Sequence, residues 1–306
     1  MARVAAIDCG TNSIRLLIAD VQAGSFREIS RVMEIVRLGE GVDRTGMFDV
    51  RAVERTLSAL DGFIDEMRRR GVERIRFCAT SATRDASNRD IFVGPVRERL
   101  GIEPEVIPGE EEAALSFLGA TKKFEVDQGP FLVVDIGGGS TEFVLGGEKV
   151  ESSMSVNIGC VRMAERHLHS NPPTRDSLEQ AIADIDDAIA LAGEQVDFRS
   201  AKKLIAVAGT ATTVAAASLG LESYDRYAIH LAEIPAPEVH RVALMFQSMD
   251  RAAIAALGYM HPGRVDVITA GALILSRIVQ ATGASSFIAS ESDILDGIAL
   301  SLGGVD

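Results

Sequence analysis

VAAIDCGTNSIRLLI (residues 4–18) and FLVVDIGGGSTEFVL (residues 131–145) are two versions of one pattern. In each, an apolar strand runs into Asp-x-Gly-x-x-Ser and an apolar segment follows at once. Asp8, Gly10 and Ser13 of the first copy recur as Asp135, Gly137 and Ser140 of the second, at one common offset. A match of this length reads as an internal duplication, with two domains of one fold. The second copy carries the stronger chemical signal. Gly137, Gly138 and Gly139 let backbone N–H groups approach a ligand with no Cβ in the way. Amides oriented in this manner form an anion-binding concavity. Ser140 and Thr141 add hydroxyl donors, and Asp135 and Glu142 are oxygen ligands suited to a hard cation. A dinucleotide-binding fold would place a helix after such glycines. Here Phe143-Val-Leu145 and then Gly146-Gly147 predict a strand and a turn, so the anion would meet a β-hairpin. In the first copy Gly10, Thr11, Asn12 and Ser13 are candidate donors to a second phosphate face, although alone they would equally make a plain turn.

The intervening sequence alternates helices with strands, which is the pattern of an α/β protein. Apolar residues at helical spacing predict a helix over 51–70, and Arg89–Leu100 reads as a helix ending before Gly101. Strands are expected at Arg74–Thr80, Glu103–Ile107 and Lys203–Ala208. Glu110–Leu118 opens a helix whose three acids suit its positive end. Ser177–Leu191, Thr210–Leu219 and Asp293–Leu302 are further expected helices, and the polar stretch Lys122–Gly129 is the best linker candidate.

Bulk properties narrow the function classes. The 306 residues suggest about two domains. The 47% apolar and 25% charged content is an ordinary globular balance. No segment reads as a membrane span, and the opening residues read as a strand ending at Asp8 rather than as a signal peptide. The expected compartment is the cytoplasm. Cys9, Cys78 and Cys160 have neither a CxxC pair nor metal-ligand spacing and read as buried small residues. The five histidines show no HExxH spacing and read as surface or structural. A net charge of −13 argues against nucleic acid as a partner. It also opposes a polyanionic substrate at long range, so local donors and a metal must govern the site.

Three further stretches are candidates. Ala206-Val-Ala-Gly209-Thr210 is a strand, a glycine turn and a helix start. It suits either phosphate contact or simple capping by Thr210. Arg84 follows a strand and suits either a phosphate or a loop salt bridge. Glu110, Glu111 and Glu112 either complement a helix dipole or supply a carboxylate that orients water for phosphoanhydride hydrolysis.

Taken together, AAIDCGTNSIRLLIAD, ATSATRDASN, PGEEEA, VVDIGGGSTEF, NIGCVR, VAGTATT and SDILDGIAL resemble the exopolyphosphatase/guanosine pentaphosphate phosphohydrolase family of the actin-like superfamily. The pieces come in the family's order and cover nearly the whole chain, which stops short of the extra helical region of longer relatives. The resemblance implies two actin-like (ribonuclease H-like) α/β domains facing across a cleft. These would be residues 1–124, joined by a C-terminal helix at about 293–306, and residues 125–292. It implies Glu112 as catalytic base with Glu111 as second choice, and Arg84 as a phosphate clamp. Asp8, Gly10, Thr11, Asn12, Ser13 and Arg15 would form one phosphate-binding set, with Gly137, Gly138, Gly139, Ser140, Gly209 and Thr210 completing it. Asp135 and Glu142 would hold Mg²⁺ (or Mn²⁺). The expected activity is release of terminal orthophosphate from inorganic polyphosphate. Alternatives are a guanosine pentaphosphate 5′-phosphohydrolase and an alarmone-binding ATPase or sensor of the same superfamily. A homodimer is the family's expectation.

Overall fold

Each copy of the repeated segment forms a hairpin in the middle of its own sheet. The computed structural model describes residues 2–22 and 25–303 and resolves into two compact units, Met1–Gly119 with Ile294–Asp306, and Ala120–Asp293.

The first unit contains β1 (Ala2–Cys9), β2 (Ser13–Gln22), β3 (Ser25–Ile35), α1 (Val42–Thr45), α2 (Val50–Arg70), β4 (Arg74–Ala79), α3 (Ser81–Asp85), α4 (Asp90–Leu100), β5 (Glu105–Val106) and α5 (Gly109–Thr121). Its sheet order is β3-β2-β1-β4-β5. Strand β1 is apolar on both faces because both are covered. Ala5, Ile7 and Cys9 join one buried cluster with α2 and α4, while Val4 and Ala6 join another with Leu115 of α5 and the last helix of the chain. Helix α2 starts at Asp49, whose side chain accepts from the N–H groups of Arg51 and Ala52, and stops at Gly71 with φ 67°. Arg68, Arg69 and Arg70 fill its last turn, where positive charge suits the dipole.

The second unit contains β6 (Phe131–Ile136), β7 (Thr141–Gly146), β8 (Val150–Val156), α6 (Cys160–His167), α7 (Arg175–Gln195), β9 (Lys203–Val207), α8 (Ala208–Ser218), α9 (Arg226–Ile229), β10 (Glu233–Pro235), α10 (Ala236–Ser248), α11 (Arg251–Ala255), α12 (Ile268–Thr282) and β11 (Ser286–Ala289). Its sheet order is β10-β11-β9-β6-β7-β8. The run β8-β7-β6-β9-β11 repeats β3-β2-β1-β4-β5 in order and direction, with two antiparallel pairs followed by two parallel ones. Each copy also sets one 21-residue helix, α2 or α7, before its first parallel strand. Leu132, Val134 and Phe143 pack with Ile185 and Ile189 of α7, Phe246 of α10 and Ile274 of α12.

The last helix, α13 (Ile294–Ser301), returns to the first unit. Gly297 lies so close to α5 that a Cβ there would meet the Leu115 carbonyl. The absence of a side chain therefore lets α13 brace the helix that carries Glu112. Residues 304–306, which the expected tail helix included, lie outside the described residues. The expected strand at 103–107 contracts to Glu105–Val106, because Pro104 has no N–H to give a ladder. The linker candidate contains a short 3₁₀ turn, Val126–Gln128, closed by the Glu125 and Gln128 side chains. Among the described residues no helix is long and apolar enough to cross a membrane. The uncharged run 204–221 is divided between β9 and α8.

Candidate active site

Both hairpins close with the same hydrogen bond. Gly10 N–H donates to the Ser13 carbonyl and Gly137 N–H to the Ser140 carbonyl, each at 3.0 Å. Both loops are then clamped by the segment that follows the third strand of their own copy. In the first, Thr11 O accepts from Gly39 N–H (2.9 Å) and Asn12 O from Val36 and Arg37 N–H (3.0 and 2.9 Å). In the second, Gly137 O accepts from Cys160 N–H (2.9 Å) and Gly138 O from Val161 and Arg162 N–H (2.9 and 3.1 Å). In a planar trans peptide the C=O and the following N–H point in opposite directions. Carbonyls turned toward the clamp therefore turn the N–H groups of Asn12 and Ser13, and of Gly138 and Gly139, away from it. That is the polarity an anion needs.

In the first loop, Thr11 Oγ1 and Asn12 Oδ1 are buried with no hydrogen-bond partner among the described residues. Buried polar groups are rarely left in this state, and an absent ligand is one explanation. Asp8 is buried and ion-paired to Arg15, whose Nη2 and Nε lie 2.6 and 2.9 Å from Oδ2. Arg15 was expected among the phosphate binders; its nearest anion is the Asp8 carboxylate.

Glu112 and Arg84, read separately in the sequence, meet in the structure. Arg84 Nη1 donates to Glu112 Oε2 at 2.6 Å and to the Ile107 carbonyl at 3.0 Å. Glu112 is 8% exposed. Burial pushes its carboxyl above the usual range, the Arg84 charge and hydrogen bond oppose that, nearby Asp8 raises it further, and the Thr80 hydroxyl lowers it. Thr80 also adjoins Gly10, so it links the base to the first loop. Glu111 goes elsewhere. It pairs with Arg76, which also binds Glu105 and the Ser301 hydroxyl of α13. Adjacent residues on a helix point about 100° apart, so only one of the two can reach the loop.

In the second hairpin Asp135 and Glu142 are direct cross-strand partners. They are 6% and 1% exposed. The Ser155 hydroxyl donates to Glu142 Oε1 at 2.8 Å. Two carboxylates on one face of a hairpin form an all-oxygen donor set, and Mg²⁺ commonly takes one or two carboxylates, completing its shell with phosphate oxygens and water. The residues fit such an ion. Among the described residues there is no cluster of three or more His, Cys, Asp or Glu side chains suited to hold a metal unaided.

The third candidate loop opens α8. Ala208 holds φ 65°, a strained value for a residue with a Cβ, so the turn from β9 into α8 is sharp. Thr210 is buried, and its hydroxyl faces Gly271. Sequence reasoning missed Arg264 as a member of this loop. Its guanidinium lies where a Cβ on Gly209 would be, 2.6 Å from that point at Cζ, and Nη1 donates to Thr213 Oγ1 at 3.1 Å. Gly39 and Gly159 were also missed. A Cβ on Gly39 would lie 2.4 Å from Thr11 Cγ2, and one on Gly159 would lie 2.3 Å from Gly138 O. The available signal was the apolar-Gly pair Leu38-Gly39 and its counterpart Ile158-Gly159. Burial raises all three thiols, Cys160 to about 11, so none is a nucleophile at neutral pH.

Residues 17–303 match the model of the Ppx/GppA phosphatase family. The chain is 45% identical over 317 residues to exopolyphosphatase 2 of Mycobacterium tuberculosis, covering 99% of each chain. A solved structure described as an exopolyphosphatase-like protein is 42% identical with a TM-score of 0.95, again over 99% of both chains. A solved Ppx/GppA family member from Aquifex aeolicus is 27% identical with a TM-score of 0.80, over 98% of this chain and 97% of that one. The α/β architecture is thus the actin-like one of these neighbours. With the family match spanning residues 17–303, and a full-length relative at this identity, the protein belongs to the Ppx/GppA phosphatase family.

Proposed function

We propose that this protein is an exopolyphosphatase, a phosphoanhydride hydrolase that releases terminal orthophosphate from inorganic polyphosphate. The observation that carries the reading is the Glu112 carboxyl, buried near the first hairpin loop and held by Arg84. The full-length similarity to an exopolyphosphatase supports it. Water attacks the terminal phosphorus while Glu112 takes its proton. The bridging P–O bond then breaks, and the shortened chain leaves with the bond's electrons. Arg84 aligns Glu112 and offsets its charge. Each loop by itself offers N–H groups to phosphoryl oxygens, and in a loose transition state such positioning supplies most of the rate. Members of the family generally use divalent metals. Asp135 and Glu142 are the residues that would hold Mg²⁺ or Mn²⁺, which when bound neutralises phosphoryl charge. The three buried free thiols fit a cytoplasmic setting, and the family's homodimer is checked by light scattering.

The test is orthophosphate release from polyphosphates of defined length, with and without chelator, beside guanosine pentaphosphate. Chelator-sensitive release from polyphosphate is expected to exceed release from the nucleotide. Preference for the nucleotide would transfer the assignment to a guanosine pentaphosphate phosphohydrolase. Release from neither, with ATP consumed or an alarmone merely bound, would end it.

A further inference from the structure

We infer that Arg162 is the positioning residue of the second loop, holding the Gly139–Ser140 peptide so that the Ser140 N–H faces the phosphoryl group. The inference rests on the reading of that loop as a phosphate binder. Three consecutive carbonyls turn toward α6. The first two, of Gly137 and Gly138, are held by backbone N–H groups of Cys160, Val161 and Arg162, which almost any residues would supply. The third is held by a side chain, because Arg162 Nε donates to Gly139 O at 2.6 Å. Glycine peptides rotate more freely than others, so a loop of three glycines needs such a latch at its last peptide. A hydrogen bond from a charged donor is about twice as strong as a neutral one. It also polarises the peptide it engages, which strengthens the Ser140 N–H as a donor.

The first hairpin needs no such side chain. Its two inner carbonyls, of Thr11 and Asn12, are both held by backbone N–H groups, and its loop has one glycine instead of three. Gly159 gives Arg162 its access, since a Cβ there would strike the Gly138 carbonyl and push α6 off the loop. Arg166, one turn along the same helix, instead pairs with Asp184 of α7 at 2.6 Å, so it serves as a control for general disturbance of α6.

The experiment compares Arg162→Ala, Arg162→Lys and Arg166→Ala in the full chain. It reads kcat and KM for orthophosphate release, thermal melting, and amide hydrogen exchange over residues 137–142 without substrate. Arg162→Ala is expected to lower kcat by about 10- to 100-fold, the scale of an ångström-sized misplacement, with KM changed less than about threefold. Added guanidinium ion should restore part of that kcat where urea does not. Arg162→Lys should fall between wild type and Ala. Exchange at 137–142 should quicken in Arg162→Ala and stay at the wild-type rate in Arg166→Ala. Unchanged kcat with unchanged exchange overturns the inference. So does a loss of kcat that follows the melting temperature and ignores guanidinium. A wild-type protein that releases no orthophosphate defeats the proposed function instead, and the exchange measurement still decides the latch.

Discussion

The two hairpins share a closing bond and a register, and each is clamped by the segment after its third strand, but they differ in the residue opposite the aspartate. Asp8 faces Arg15, whereas Asp135 faces Glu142. Side chains directly opposite on paired strands sit about 4.5–5.5 Å apart at Cβ, close enough for opposite charges to stabilise and like charges to repel. The first hairpin therefore satisfies its carboxylate from within. The second gathers two carboxylates where a cation would offset them. The loops diverge in the same sense. Gly10-Thr11-Asn12 offers side-chain polar atoms, while Gly137-Gly138-Gly139 offers only backbone. One backbone design has thus been given two electrostatic roles, and an identical turn does not imply an identical ligand.

Five substitutions would break or sharpen that contrast. Glu112→Gln should have the largest effect, cutting kcat by roughly 10²–10⁴-fold with KM largely kept, the usual loss for a general base. Near-normal turnover would remove water activation from the first hairpin's side. Next, Asp135→Asn should raise the metal concentration for half-maximal activity by about 10-fold or more, while Asp8→Asn should leave that concentration near wild type. The ligand shell supplies metal affinity, and the Asp8 carboxylate is already paired with Arg15. Equal shifts in the two variants would erase the proposed difference. Arg84→Gln should move the acidic limb of the kcat/KM profile to higher pH. Arg84 opposes the upward push of burial on Glu112, so without it the carboxyl holds its proton to higher pH and the base form appears later. An unmoved limb would show that another group titrates there. The smallest effect is expected from Gly10→Ala. The nearest atoms to the new Cβ, Ser13 O and Thr80 Oγ1, are 3.7 and 3.9 Å away, so stability should change by less than about 0.5 kcal/mol. A phosphate approaching the loop would meet the methyl, and KM should rise about threefold, roughly half of the 1.4 kcal/mol that a factor of 10 represents. Unchanged KM would return the first loop to the status of a plain turn.

Much of this was legible in the chain. The repeated Asp-x-Gly-x-x-Ser carried the fold, because a strand running into a glycine turn and out again fixes a hairpin from local residues alone. Alternation of helical and strand periodicity carried the α/β class. The resemblance of the motifs carried the family. The extent of α2 followed from apolar residues at helical spacing, and the end of α4 from Gly101, since a C-cap acts within a few residues of itself. The clamps were not legible, because Gly39 and Gly159 matter only for what lies across from them in space. The same holds for Gly297, whose role appears only against the Leu115 carbonyl.

By itself the sequence determined the duplication, the two hairpin turns and the types of residue available for phosphate and metal chemistry. These depend on periodicity and short-range backbone preference, which are properties of neighbours along the chain. Only the tertiary structure decided that Arg84 is the partner of Glu112, that Glu111 belongs to Arg76, that Arg15 neutralises Asp8 and that Arg264 rests on Gly209. Each of these is a pairing between segments distant in sequence or across a strand register. A charge finds its counter-charge through space, and spacing along the chain carries no record of which one it will be.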